Sequence, residues 1–169
     1  MRFLERRPGR TAGEERVVLA NDDGAPAARG LWFRGRPSGI KPWVDLAVDD
    51  HSIIADVVSA LGPGASVMIA YQGDETERTL RRRVPPAATP LGIELLKAGC
   101  RWFKDWYFPE GGREGFTKLQ ASVPLDEVRR REGTERLAAE LRAFLKEPDS
   151  RPEDRRRAEE GLEILQRSS

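Results

Sequence analysis

Apolar residues form two short runs in the first half of the chain. WVDLAV at residues 43–48 and SVMIAYQ at residues 66–72 are apolar at nearly every position, which is typical of strands covered on both faces. Between them, apolar residues recur with helical spacing from Ile53 to Leu61, and a Gly-Pro-Gly sequence follows. The pattern predicts a strand, a helix and a second strand parallel to the first.

Further elements are predicted on both sides of this unit. Residues 16–20 and 28–35 have extended character, and a helix is predicted from a Thr89 cap to Gly99. Residues 101–123 predict a strand, a glycine turn and a returning strand. We therefore expect an α/β (α+β-like) fold with one mixed sheet, which has a parallel centre and a C-terminal antiparallel hairpin.

The same pattern divides the chain into three segments. Residues 1–15 are basic, contain Pro and Gly and follow neither period, so we expect a flexible arm. Residues 16–123 form the predicted α/β domain. Residues 124–169 are highly charged and helical, with Leu162 and Leu165 as apolar anchors of the last helix. This C-terminal helical appendage is a candidate homodimer contact.

Charge and composition exclude several classes of protein. Charged residues make up 34% of the 169 residues but nearly cancel to +1, so neither nucleic acid nor an anionic membrane is an expected partner. No window approaches the roughly 18 apolar residues of a membrane span. The single cysteine, Cys100, and the polar first ten residues lead us to expect a cytoplasmic protein. Cys100 is expected to be buried, which disfavours a nucleophilic role.

Five aromatic residues within seven positions are the first candidate site. Aromatic side chains favour strands and pack across them, so sheet packing is the simplest interpretation. Alternatively, one face of the strand lines a ligand cleft into which Lys104 or Asp105 reaches. The five residues are Trp102, Phe103, Trp106, Tyr107 and Phe108.

Acidic residues form the other candidates. Glu110 and Glu114 flank the glycine turn, where they are either solvated rim residues or a pair of catalytic carboxylates. Four side chains, Asp45, Asp49, Asp50 and His51, lie near the end of a predicted central strand, where α/β sheets place ligands. Oxygen ligands with one imidazole suggest a metal, but caps at a helix start are the simpler interpretation. We expect no metal.

The order of elements resembles the second half of the GNAT (N-acetyltransferase) fold over about residues 16–123. In that fold a strand similar to VDLAV precedes the cofactor helix, and a later helix, here ending in AGC, precedes the final hairpin. The stretches PPAATPLG and DWYFPEGGREGFTKLQ also resemble an uncharacterised prokaryotic family.

The resemblance implies an acyl-CoA-dependent N-acyltransferase that uses acetyl-CoA on a small amine. It places the cofactor at the start of the helix, on Val48, Asp50, His51, Ser52 and Ile53. Tyr107 is then the candidate acid and Glu110 the candidate base. The sequence departs from the family in two places: DDHSIIAD replaces the glycine-rich pyrophosphate loop, and the family's tyrosine falls on Leu95.

Two other functions remain open from the sequence. The first is a non-catalytic GNAT-like module that binds a small-molecule ligand or another protein. The second is a methyltransferase-like fragment, because LGPGASVMIAY and the helix ending in AGC also resemble the later strands of that fold. Residues 1–42 leave little room for that fold's first strands.

Overall fold

A seven-stranded mixed sheet organises the chain in the computed structural model, which describes residues 1–36, 39–71, 84–108 and 116–167. The strands lie side by side in the order β1-β2-β3-β4-β5-β7-β6. Their bounds are β1 Arg2–Pro8, β2 Glu14–Ala20, β3 Pro26–Phe33, β4 Trp43–Val48, β5 Ser66–Ala70, β6 Trp102–Phe108 and β7 Phe116–Ser122. The predicted mixed sheet is confirmed.

Among the described strands, one neighbouring pair is parallel. β4 and β5 run the same way, with Trp43 opposite Ser66 and Leu46 opposite Ile69. All other neighbouring strands are antiparallel, including β5 with β7 and β6 with β7. The predicted parallel centre is therefore a single pair. The next strand along the chain, β6, does not pair with β5. Instead, β7 lies between β5 and β6 and pairs with both, which leaves β6 at the edge of the sheet.

The expectation that residues 1–15 form a flexible arm was wrong, because they contain β1. β1 pairs with β2 along its length, from Arg2 opposite Ala20 to Pro8 opposite Glu15. The Phe3 ring also meets the Trp32 ring edge-on, with 5.4 Å between centroids. Most side chains of β1 are exposed, so the strand is held by backbone pairing at a sheet edge and leaves little apolar signal in the sequence.

Four α-helices lie in the described part of the chain: α1 Ile54–Leu61, α2 Pro90–Lys97, α3 Glu127–Leu145 and α4 Pro152–Arg167. Short 3₁₀ turns precede the first two, at His51–Ile53 and Pro86–Ala88. The predicted Thr89 cap of α2 is confirmed, since its Oγ1 accepts a hydrogen bond from the Gly92 amide at 3.0 Å. None of these helices is long and apolar enough to cross a membrane.

The main core lies on one face of the sheet. Val44, Leu46 and Val48 of β4 are buried and pack with apolar residues of α1 and α2. The alternate residues of β4 are only half-buried, so the prediction of strands covered on both faces was wrong. We call the second side of the sheet, which carries Trp43, Asp45, Ser66, Met68 and Gln120, the open face.

The C-terminal helices build a second apolar cluster. Its buried members include Leu137, Leu141 and Phe144 of α3 and Leu165 of α4, and Leu162 packs against them. The cluster also contains residues of α2 and of the turn before it. The apolar residues of α4 thus pack against other helices of the same chain. The homodimer contact stays a prediction.

Candidate functional site

A cavity of about 620 Å³ lies at the end of the sheet where β5 and β6 begin and β7 ends. We call it the Arg101 cavity. The sheet and its adjoining loops contribute Ser66, Trp102 and Gln120 to the lining, and the first half of α3 covers one side. The cavity is therefore at the opposite end of β4 and β5 from the predicted cofactor residues.

One face of α3 supplies the polar wall of this cavity. Arg129, Glu132, Gly133 and Arg136 all line it, and their spacing of three, one and three places them on one side of a helix. With Lys41 and Arg101, the lining contains four cationic side chains and one carboxylate. The wall therefore has an excess of positive charge.

The two arginines of this wall, Arg129 and Arg136, make weak or exposed contacts with acidic side chains. Arg129 Nε lies 3.7 Å from Asp126 Oδ2, and both side chains are more than half exposed. The charge of Arg136 acts on Glu140, where it opposes the rise in pKa that burial causes. Exposed contacts of this kind contribute little to stability, so both guanidinium groups remain available to a ligand.

Arg101 is the buried charge of the site. The residue is only 2% exposed, and its Nη1 donates to the carbonyl oxygens of Leu96 at 3.0 Å and Cys100 at 2.7 Å. These bonds cap the end of α2. Its Nε is buried and has no hydrogen-bond partner among the described residues. Burial lowers the pKa of Arg101, and the positive charge of Arg130 lowers it further.

A second, smaller cavity continues onto the open face. It has a volume of about 340 Å³ and is lined by Trp43, Val44, Asp45, Ser66, Met68 and Gln120. We call it the open-face groove. Ser66 and Gln120 line both cavities, so the two spaces adjoin.

Hydrogen bonds fix the Gln120 side chain where the Arg101 cavity and the open-face groove meet. Gln120 Oε1 accepts from Trp106 Nε1 at 2.7 Å, and Gln120 Nε2 donates to Ser66 Oγ at 2.7 Å. On the far side of the groove, Lys118 Nζ donates to both Asp45 carboxylate oxygens, at 2.7 and 2.6 Å. The Lys104 ammonium lies 3.9 Å from the Trp106 ring centroid. The polar groups of this face are thus largely satisfied by one another.

The predicted cofactor residues lie around the start of α1. Val48 and Ile53 are buried, each 1% exposed. The Asp50 carboxylate accepts from the Ser52 amide at 3.0 Å and from Asn21 Nδ2 at 2.9 Å. These hydrogen bonds, that of Asn21 first, lower the pKa of Asp50. A charged carboxylate therefore takes the backbone amide that a phosphate would need.

Further acidic side chains surround this position. Asp22, Asp23 and Asp56 line a small pocket together with Asp50 and Ser52. The Met1 ammonium compensates in part, at 2.6 Å from Asp56 and 3.6 Å from Asp22. The balance is negative, which opposes the binding of a pyrophosphate.

The acidic cluster considered as a metal site does not assemble into one. Asp45 is on the open face with Lys118, Asp50 is bonded to Asn21, and His51 begins the 3₁₀ turn. Within the described ranges, no group of three or more His, Cys, Asp or Glu side chains is placed to hold a metal ion.

The predicted catalytic pair is only partly covered by the structure. Tyr107 is in β6 opposite Thr117, and its side chain is outside the described part. Glu110 falls in residues 109–115, which are also outside it. On the covered face, Tyr71 donates to Asp105 at 2.8 Å. Burial raises the pKa of Asp105, and this hydrogen bond opposes the rise.

Sequence and structure comparisons place the chain in a family. The family model DUF1122, described as a protein of unknown function, matches residues 1–148, which is most of the chain. The chain belongs to the DUF1122 family. None of the curated proteins matches it significantly.

The DUF1122 chain is also similar to a solved structure. A crystal structure of a protein of unknown function, AQ1966 from Aquifex aeolicus VF5, superposes with a TM-score of 0.79 at 27% sequence identity. The superposition covers 98% of this chain and 88% of that one. The similarity therefore extends over the whole sheet and the helices.

Sequence reasoning missed the charged wall of the DUF1122 site. The i, i+3, i+4, i+7 spacing from Arg129 to Arg136 was the available signal. Charged helical faces are usually solvated, so spacing alone does not single out this one. Arg101 gave no signal, because its burial depends on α3, which lies about 30 residues further along the chain.

Proposed function

We propose that this chain is a GNAT-like module that binds a small anionic ligand in the Arg101 cavity. The observation that carries the proposal is the charge of the lining, where four cationic side chains face one carboxylate. Arg101 is only 2% exposed and its Nε is inaccessible, so its charge acts from beneath the wall, whereas the guanidinium groups of Arg129 and Arg136 are the ones that a ligand can contact.

An anion would offset the excess of positive charge around the cavity. A buried charge without a counterion is unfavourable, and the charge of Arg101 is buried beneath the lining. A carboxylate or phosphate supplies both charge and acceptors, and guanidinium groups bind such oxygens in a bidentate manner. Arg129 and Arg136 face the same space and add to the attraction.

The dimensions of the cavity also fit a small molecule. Its volume of about 620 Å³ falls within the usual range for ligand pockets of roughly 300–1,000 Å³. Trp102, Val123 and Leu125 provide apolar surface beside the charged groups. A few charged groups within an apolar lining are typical of pockets that orient one ligand.

The test is a binding measurement with simple anions. Phosphate, sulfate and citrate are titrated into the protein at constant ionic strength, and thermal stabilisation is followed together with calorimetric affinity. We expect saturable stabilisation that the double variant Arg129→Gln and Arg136→Gln weakens about tenfold or more.

The matched control removes the same charge from another side of α3. Arg131 and Arg142 are exposed and do not line the cavity, so the double variant Arg131→Gln and Arg142→Gln should bind anions like the original chain. Equal losses in both double variants, or no saturable binding at all, would refute the proposal.

An acyl-CoA-dependent acyltransferase is the second candidate. The observation that favours it is the parallel pair of β4 and β5, joined by a helix that follows the carboxyl end of β4. The acidic start of α1 is the evidence against it.

Coenzyme A distinguishes the two candidates. Thermal stabilisation by coenzyme A that is lost in Ala47→Trp or Val48→Trp, but kept in Arg129→Gln, would place the cofactor at the end of β4. Acyl transfer to a small amine that Tyr107→Phe or Glu110→Gln abolishes would support the predicted catalytic pair. Stabilisation by phosphate but not by coenzyme A supports the binding module.

A further inference from the structure

We infer that the ligand of the Arg101 cavity is an amphipathic anion, whose charged head binds beside Arg101 and whose short apolar tail lies in the open-face groove. This inference rests on the proposed function, because it names the ligand class of the same site. It adds a second subsite, on the exposed surface of β4 and β5.

Continuity of the two spaces is the first argument. Ser66 and Gln120 line both the Arg101 cavity and the open-face groove. Trp106 and Ser66 hold the Gln120 side chain by one hydrogen bond at each end of its amide. Each bond uses one of the two positions that its end of the amide offers, and together they fix the side chain between the two spaces, so a ligand that spans them crosses a rigid surface.

The chemistry of the groove is the second argument. Trp43 and Met68 give it an apolar floor, and the Trp43 ring is fixed by stacking on Phe33 with 5.6 Å between centroids. Asp45, the acidic member of the lining, is already paired with Lys118. This neutralised pair does not require a charged ligand group, whereas the apolar floor gains from being covered.

Distances along the strands limit the length of the tail. Met68 lies two residues beyond Ser66 on the same face of β5, about 7 Å away, and Trp43 lies opposite Ser66 on β4, about 5 Å away. A tail that enters the groove beside Ser66 therefore covers it with a few carbon atoms. Longer tails extend past Met68.

The test is a series of alkyl phosphates of increasing chain length, with the corresponding alkyl carboxylates as a second series. Burying a methylene group strengthens binding by up to about fourfold. We expect affinity to rise about twofold to fourfold for each added methylene and to level off once the tail reaches Met68. The two series identify the preferred head group.

Variants separate the tail subsite from the head subsite. Met68→Gln should largely remove the dependence on chain length while inorganic phosphate binds with unchanged affinity. Leu31→Gln is the control, because Leu31 is half-buried on the same face, opposite Asp45, but lines neither cavity. Circular dichroism and the phosphate affinity confirm that each variant is folded.

The outcomes for the two proposals differ. Phosphate binding without any effect of chain length in the original chain overturns the amphipathic ligand and leaves the anion site standing. A length dependence that Met68→Gln and Leu31→Gln change equally also overturns it. Failure of every anion to bind removes the proposed function as well.

Discussion

Gly133 of α3 lies directly over the backbone of Arg101. A β-carbon at residue 133 would be 2.5 Å from the Arg101 carbonyl oxygen and 2.9 Å from its β-carbon, closer than any real contact. The helix can therefore approach the start of β6 only because residue 133 has no side chain. This approach holds Arg129 and Arg136 beside the cavity, so the contact links the fold to the candidate site.

Gly133→Ala should destabilise the protein by about 2 kcal/mol. Alanine is better than glycine in a helix by about 1 kcal/mol, but the displacement of α3 that it forces costs more, as overpacking does elsewhere. Chemical denaturation measures the change in the free energy of unfolding. The variant should also lose part of its affinity for phosphate.

Gly161 provides the matched comparison within α4. A β-carbon there would be 3.0 Å from Leu141 Cδ1, the end of a flexible side chain, and 3.4 Å from the Ala87 carbonyl oxygen. Gly161→Ala should change the stability by less than about 1 kcal/mol. If the two variants were equally stable, the close approach of Gly133 would not be what positions α3.

The Thr89 cap should contribute measurably to the stability of α2. Its hydroxyl donates to the Pro86 carbonyl oxygen at 2.7 Å and accepts from the Gly92 amide at 3.0 Å, and the residue is 2% exposed. Thr89→Val keeps the shape but removes both bonds, so we expect a loss of about 2 kcal/mol in thermal or urea unfolding. Thr89→Ser keeps the hydroxyl and should lose less than half as much.

The Cys100 thiol should be inert while the chain is folded. The residue is fully buried, and burial raises the pKa of its thiol to about 12. The thiolate is the reactive form, so iodoacetamide should not modify Cys100 under native conditions. Mass spectrometry should detect rapid modification once urea has unfolded the chain. Fast native labelling would show that the region around Cys100 opens readily.

The sequence predicted elements whose side chains repeat with a clear period. α1 and the strands β4 and β5 were expected from their apolar residues. A strand was also expected at the start of residues 101–123, and the period of two along any strand puts Lys104 and Trp106 on one face and Asp105 on the other. The cation contact of Lys104 and the Tyr71 hydrogen bond to Asp105 confirm that alternation. A local period predicts an element well because the burial of one face of a helix or strand is enough to produce it.

Features that depend on distant partners could not be read from the pattern. β1 is polar and is held by its pairing with β2, so the first fifteen residues resemble an unstructured arm in sequence. Likewise, an apolar run such as WVDLAV does not reveal whether its second face is covered. The Arg101 cavity requires α3 to cross the start of β6, which no local spacing indicates.

Asp105 should make the protein less stable as the pH rises from acid toward neutral. Burial raises the pKa of its carboxyl group above the ordinary value of 3.8, and the Tyr71 hydrogen bond opposes the rise. The folded state therefore binds this proton more tightly than the unfolded state. The stabilising effect of protonation is complete below pH 3.8 and is lost as the pH increases through the folded-state pKa.

Asp105→Asn removes this titration and keeps an acceptor for the Tyr71 hydroxyl. Compared with the original chain, the variant should therefore gain relative stability with increasing pH and be more stable at neutral pH. Urea unfolding between about pH 3 and pH 8 measures the difference. Glu135→Gln, which removes an exposed carboxylate of α3, serves as the control for the loss of one acidic side chain. A constant difference between Asp105→Asn and the original chain at every pH would mean that the carboxyl group of Asp105 titrates alike in the folded and unfolded states.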